Sequence, residues 1–411
     1  MKTKLLILAF ALCSAMTSPA KDYVMLTPLD TAALPNIPPK DCGGKIVRLA
    51  LDGDIIWQST QRSLTKQNFS DECMYKVMKQ LYLHTHNRFV SFPVKYWSQS
   101  PQGDSLLVSG RVYLPKKRHL NGIIVANHYT MTADFEVPSN ILSMEMVYLI
   151  KGYAVIMPDY VGYGISRDRM HPYLHWRSAA KTAIDLLDCM PQLLDYYGYS
   201  YSKDVLITGY SQGGAVALGV ARMIEENYTQ EKDGWSVRKL YAGAGPYDPA
   251  GTYLFSLERN EMGIPAAIPL IVLGLNDAYN LGFTLDDFFL DPLLSNYQDW
   301  ILSKNYTVGQ INQLMGSTIM SELMTENALN LDSPKAEILY QVLLRNSNVG
   351  YDLQAPAYFL HSLNDEVVPV LNSINLQENM PNNKDKTYDF NYYGSHMEAC
   401  IPFVKYVYQD L

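Results

Sequence analysis

From residue 88 onward the apolar positions change period several times, and each change marks an element. Phe89 to Trp97 and Leu106 to Leu114 are β-rich runs separated by Ser-Gln-Ser-Pro-Gln-Gly, a turn signal, and are predicted to pair antiparallel. Short apolar strands then alternate with helices. The strands are Ile123 to Ala126, Tyr153 to Pro158, Asp204 to Thr208 and Lys239 to Ala244. Met144 to Lys151 reads as a helix closed by Gly152, and Gly213 to Ile224 as a helix rich in small residues. His175 to Leu194 carries Ala179, Ala183, Leu186, Leu187, Met190 and Leu194 on one face, which is helical spacing. Near-continuous apolar strands alternating with helices predict an α/β fold: a mostly parallel sheet with helices on both faces.

The alternation stops between residues 249 and 350. That stretch has little strand character and several helix-like segments, one opened by Ser333-Pro334 with proline at the first helical position. Its apolar run from Ile264 to Leu275 is proline-interrupted and too short to cross a bilayer. Alternation resumes with strands at Ala357 to His361 and Thr387 to Tyr393 and a last helix from His396. The expected organisation is therefore a core of residues 88–248 and 351–411, with a helical cap, 249–350, inserted between late strands on the edge where sheet ligands bind.

The N-terminus changes the cellular picture. Lys2 and Lys4, the apolar run Leu5 to Ala11 and the small residues of Ser18-Pro19-Ala20 have the layout of a signal peptide over residues 1–20. Export to the periplasm or outside the cell is expected, with no transmembrane segment after cleavage. Residues 21–87 form an N-terminal segment, proline-rich at first and partly helical over 46–85. The formal net charge is -8, and no Lys/Arg cluster offers a phosphate-binding face, so nucleic acid is excluded as a partner. No Cys/His set has zinc spacing, and His84-Thr85-His86 lacks a third ligand nearby. No metal and no cofactor are expected.

The chemistry concentrates at Gly209-Tyr210-Ser211-Gln212-Gly213-Gly214, which matches G-x-S-x-G. It follows a predicted strand and precedes a small-residue helix. A serine there sits on a sharp strand-to-helix turn, with glycines two residues either side where a side chain would clash. The helix N-terminus then points its N–H groups at a developing negative charge.

A serine nucleophile needs a base and an acid. Only His361 and His396 follow Ser211. In this architecture the chain order is serine, acid, histidine. His361 closes a strand and has its nearest acid after it, so His396, in the loop after the last strand, is the expected base. Asp365, a few residues beyond the strand from Ala357, is the expected acid. Glu366 is its neighbouring rival, with Asp385 and Asp389 weaker. The oxyanion donors expected are the N–H groups of Gln212 and Tyr129, with Thr130 second to Tyr129. Tyr210, His128 and Tyr160 are candidates for substrate contact; His128 reads also as a brace for its loop.

Together the strand order, the serine turn, Asn127-His128-Tyr129-Thr130, Pro158 to Gly164 and the Asp365/His396 pair resemble the α/β-hydrolase superfamily. Within it the chain is similar to the secretory lipase (lipase A type) family of exported esterases. The likeness spans roughly residues 88–411 and includes the cap, departing from the pattern at Tyr129, where many relatives carry glycine. It implies a carboxylic-ester hydrolase working through an acyl-enzyme on a small-molecule or lipid-like ester. The alternatives are a secreted serine peptidase of the prolyl-oligopeptidase type, for which no propeller repeat is present, and a non-catalytic binding protein that kept the fold. Pro158 to Gly164 and His171-Pro172-Tyr173-Leu174 follow a strand's carboxyl end and either line the pocket or form a glycine-permitted turn.

Four cysteines remain beyond residue 20: Cys42, Cys73, Cys189 and Cys400. The helices carrying Cys189 and Cys400 are expected on opposite faces of the sheet, beyond the ~7 Å Cα limit of a disulfide. Any disulfide should therefore be Cys42–Cys73, with Cys189 and Cys400 buried and reduced. Mass mapping of the non-reduced protein checks this, and a Cys189–Cys400 peptide would refute it.

Overall fold

The computed structural model describes residues 46–48, 89–228 and 234–411. Nine strands form one sheet among these residues. They are β1 (Ile46–Arg48), β2 (Phe89–Gln99), β3 (Ser105–Pro115), β4 (Ile123–Asn127), β5 (Ala154–Pro158), β6 (Asp204–Tyr210), β7 (Ser236–Gly243), β8 (Ala357–Ser362) and β9 (Lys386–Asn391). Their spatial order is β1-β2-β3-β5-β4-β6-β7-β8-β9. The pairs from β1 through β5 are antiparallel, and every pair among β5, β4, β6, β7, β8 and β9 is parallel. The chain reverses its direction of travel across the sheet around β4, so the carboxyl ends of β4 and β6 lie side by side where ligands bind in open α/β sheets.

The main helices are α1 (Trp176–Tyr196), α2 (Gln212–Tyr228), α3 (Pro249–Arg259), α4 (Ala267–Tyr279), α5 (Val308–Met315), α6 (Pro334–Arg345), α7 (Leu371–Asn379) and α8 (His396–Asp410). The period-2 geometry of the strands sorts their side chains into two cores. Ile123, Val125, Val205, Ile207, Leu240 and Ala242 pack with α1 and α2 on one face. Ile124, Ala126, Leu206, Tyr241, Tyr358 and Leu360 pack with Ala399, Phe403 and Val407 of α8 on the other. Both faces are thus covered, which is why the parallel strands read as unbroken apolar runs.

Three details differ from the sequence reading. Ile46–Arg48 is a strand at the sheet edge, although 46–85 reads as partly helical and outside the core. The rest of the N-terminal segment, with the leader, Cys42 and Cys73, lies outside the described residues. Met144–Lys151 is a 3-10 helix, closed when the Gly152 N–H (φ 83°) reaches Leu149 O at 3.0 Å. Cys189 is buried on the α1 face and Cys400 is on the opposite one, but Cys400 is only half-buried. The buried seam of α8 runs through residues 399, 403 and 407 at i, i+4 spacing, and position 400 falls beside it.

Between β7 and β8 lies the helical segment 249–350. It builds its own core from Leu270, Leu275, Phe288, Phe289, Ile311, Leu339 and neighbours, joined by Tyr173 from the loop before α1. One buried lysine from this segment ties it to the sheet. Lys304 Nζ donates to the carbonyls of Gly162, Arg167 and Arg169 in the loop after β5. Its own carbonyl accepts the Asp134 N–H at 2.9 Å. Burial lowers its ammonium to about 8.

Lys304→Met should leave three carbonyls without their donor and lower unfolding stability by about 3 kcal/mol. Lys335→Met, which removes only a half-exposed ion pair with Asp287, should change it by less than about 1 kcal/mol. Urea unfolding of both variants tests the difference; equal effects would show that the buried lysine does not anchor the segment.

Candidate active site

Ser211 follows β6 and precedes α2, at φ 56°. A left-handed backbone is costly for serine, and the surroundings show why the chain accepts it. The strand ends abruptly and the helix begins at once, with the Ser211 N–H on Gly243 O at 2.9 Å and the Gly214 N–H on Ser211 O at 2.8 Å. A Cβ on Gly209 would lie 2.0 Å from Gly213 O, and one on Gly213 would lie 2.1 Å from Asn127 O. The two glycines therefore let strand, helix and the loop after β4 pack backbone to backbone under the serine.

Two loops bring the partners. Ser211 Oγ is 2.9 Å from His396 Nε2, and His396 Nδ1 is 2.6 Å from Asp365 Oδ2. Asp365 Oδ1 accepts the N–H groups of Val367 and Val368 at 2.9 and 2.8 Å. His396 opens α8 behind a capping box formed by Ser395 and Glu398. The Glu366 carboxylate accepts the His396 backbone N–H at 2.9 Å, while the Tyr210 hydroxyl donates to the His396 carbonyl at 2.6 Å. The rival acids thus separate: Asp365 meets the imidazole, and Glu366 meets only its peptide.

Burial by itself would raise the Asp365 carboxyl. The charge that His396 can carry, with hydrogen bonds from His361 and His396, outweighs burial and holds it well below the usual range. His361 Nε2 lies 2.8 Å from Val368 O and 3.3 Å from Asp365 Oδ2, and its Nδ1 lies 2.7 Å from Ser373 Oγ. It is fully buried and supports the acid from behind.

The loop after β4 lies beside the serine turn, as the Asn127↔Gly209 register requires. Tyr129 is half-exposed in that loop, and Thr130 Oγ1 is 2.8 Å from the Tyr173 hydroxyl. Tyr210, His128 and Tyr160, the candidates for substrate contact, all have buried side chains beside the site. The Tyr210 ring lies against His396 and Phe403. His128 stacks on Tyr160 at 4.0 Å with its ring nitrogens toward the Tyr129 and Asp159 carbonyls. The Tyr210 and Tyr160 hydroxyls donate to the His396 and His128 carbonyls, and the neutral His128 ring has one N–H to give to the two carbonyls it faces. Gln212 extends its amide to His171, and sequence spacing gave no sign of that contact, 41 residues apart. A separate crevice lined by His119, Asn121, Ser202 and Arg238 lies at the amino edge of the strands, away from this chemistry. Among the described residues no group of three or more His, Cys, Asp or Glu side chains is placed to hold a metal, and no helix is long and apolar enough to cross a membrane.

No family model and no curated protein sequence matches the chain. Solved structures do. A Legionella pneumophila protein named as a hydrolase superposes with a TM-score of 0.71 at 20% identity, covering 89% of this chain and 96% of its own. The rice cell wall degrading esterase LipA from Xanthomonas oryzae gives 0.67 at 20% identity, over 81% and 95%. The chain has the α/β-hydrolase fold. Candida antarctica lipase A in its closed state is more distant, at 0.57 and 16% identity over 78% of each chain. The strand-to-helix turn between β6 and α2 in this fold carries Ser211.

The glycine contacts make a direct test. Gly213→Ala should force the turn from the Asn127 loop, destabilising the protein by about 1–3 kcal/mol. Gly309→Ala, where a Cβ meets nothing within 4 Å, should be neutral. Thermal unfolding of the pair decides whether this backbone approach is as tight as described.

Proposed function

We propose that the protein is an exported carboxylic-ester hydrolase in which Ser211 is the nucleophile, His396 the general base and Asp365 the acid that orients it. The observation that carries this reading is the unbroken chain Ser211 Oγ to His396 Nε2 to Asp365 Oδ2, at 2.9 and 2.6 Å. The ester-hydrolysing names of two structural relatives support the choice of ester over other acyl compounds. Export rests on the leader pattern of residues 1–20.

In this mechanism His396 Nε2 takes the Ser211 proton as Oγ attacks the ester carbonyl. Asp365 holds the Nδ1–H tautomer and stabilises the imidazolium that forms. The negative oxygen of the tetrahedral intermediate is met by the Gln212 N–H at the start of α2 and a second N–H from the loop after β4, for which Tyr129 is the first candidate and Thr130 the next. The imidazolium then protonates the leaving alcohol. Water, activated by the same histidine, attacks the acyl-enzyme and releases the acid. The segment 249–350 acts as a cap over this edge of the sheet, and its apolar helices suit a small-molecule or lipid-like acyl group.

A fluorophosphonate probe should label Ser211, and a panel of short-chain, long-chain and aromatic esters should be hydrolysed in preference to peptides. Faster peptide cleavage would favour the peptidase alternative, and absence of labelling would leave a binding protein. Ser211→Ala and His396→Ala should each abolish turnover with the fold intact. Asp365→Asn should lower kcat on the order of 10⁴-fold, whereas Glu366→Gln, which can still accept the His396 N–H, should retain most activity. Full kinetics on the four variants would overturn the assignment if the two acids exchanged roles.

A further inference from the structure

Gln212 has a buried side chain, although it opens a helix beside the site. Its Nε2 lies 3.0 Å from His171 Nε2, and His171 Nδ1 lies 2.8 Å from Val161 O. These two contacts fix every proton in the group. A carbonyl can only accept, so Nδ1 carries the hydrogen and Nε2 offers its lone pair. The Gln212 amide must then present its NH₂ to His171, which turns Oε1 the other way, where it is buried with no hydrogen-bond partner. Burial keeps the imidazole neutral, lowering it to about 3.

The position of His171 is itself over-determined. A Cβ on Gly162 would lie 2.6 Å from His171 N and Cα, and one on Gly274 would lie 2.7 Å from His171 O and 2.6 Å from Tyr173 N. The His171 backbone is therefore held between a glycine of its own loop and a glycine of α4. The loop is anchored further by Lys304 on Gly162, Arg167 and Arg169. Such rigidity around a side chain that reaches the residue next to the nucleophile has a functional meaning.

We propose that His171 is a positioning residue for the oxyanion site: by holding the Gln212 side chain it fixes the tilt of the Gln212 peptide, whose N–H receives the negative oxygen. This rests on the ester-hydrolase reading, in which Gln212 is an oxyanion donor. The tautomer of His171, the loop and the cap glycine all act through that one amide. An N–H misaimed at the oxyanion weakens the transition state and leaves substrate binding nearly unchanged, so the signature belongs in kcat.

The test uses the full chain, with kcat expressed per serine titrated by a fluorophosphonate. His171→Phe and Gln212→Met each remove the contact from one side. Each should lower kcat on the order of tenfold, with KM changed by less than about twofold. The double variant should be no worse than either single one, because both delete the same interaction. His171→Gln, whose Oε1 can still accept the Gln212 amide, should recover most of kcat. Unchanged kcat in Gln212→Met, additive losses in the double variant, or lowered unfolding temperature with normal kcat per titrated serine would each overturn the proposal. Should His171→Phe not fold, Gln212→Met and His171→Gln decide the matter alone. Failure of the wild-type chain to label or hydrolyse esters would instead refute the underlying ester-hydrolase reading, so the two failures are distinguishable.

Discussion

Ser211 holds a left-handed backbone, at φ 56°, that costs a non-glycine residue about 1–2 kcal/mol, and much of the surrounding structure exists to enforce it. Such strain persists only where the neighbours leave no alternative. Here β6 must stop, α2 must start and the loop after β4 must pass beneath, all within the space left by two absent side chains at positions 209 and 213. The register of β4, β6 and β7 puts Asn127 and Gly243 on either side of that turn. The loops after β8 and β9 bring Asp365 and His396 to the serine on this turn.

Electrostatics then select one histidine from several. His128, His171 and His175 are buried without a carboxylate partner, and burial lowers them to about 4, 3 and 4. Neutral rings serve as hydrogen-bonding struts. His396 instead lies between a carboxylate and a hydroxyl, the setting that the proposed general base requires. Asp365 is kept ionised by the histidines it touches even though burial opposes it. A second histidine, His361, on the same oxygen spreads that task over two donors and two backbone N–H groups. The same residue type thus does opposite work according to whether a carboxylate faces it.

What the sequence revealed follows the range of the interactions. The strand and helix alternation was legible because period and length are local properties. The order of Ser211, Asp365 and His396 was legible because topology orders the loops along the carboxyl edge. The choice between Asp365 and Glu366 came down to one residue of position in a turn, and the structure shows both carboxylates on His396 by different atoms. Tyr210, His128 and Tyr160 drew attention as polar side chains near the motifs, yet each has its polar atom answered by a distant carbonyl: His396, Asp159 and His128. No periodicity encodes a contact between Lys304 and Gly162, 142 residues apart. The edge strand Ile46–Arg48 escaped for a related reason, since three residues are too few to show alternation and only the register with Val94–Tyr96 defines them.

These long-range contacts change how the helical segment 249–350 should be viewed. A lid joined only by its two chain crossings would leave the sheet's loops self-supporting. Here the segment supplies Lys304 to three carbonyls, Gly274 to the backbone of residues 171–173, and Tyr306 O to the Thr132 hydroxyl at 2.7 Å. Tyr173, on the sheet side, is in turn counted in the segment's own core. The loops that flank Ser211 are therefore completed by the insertion. The sheet sets the direction of the serine, and the insertion supplies much of the stiffness of the ground around it. Any exchange of this segment for another would have to carry equivalents of Lys304 and Gly274 to leave the serine turn undisturbed.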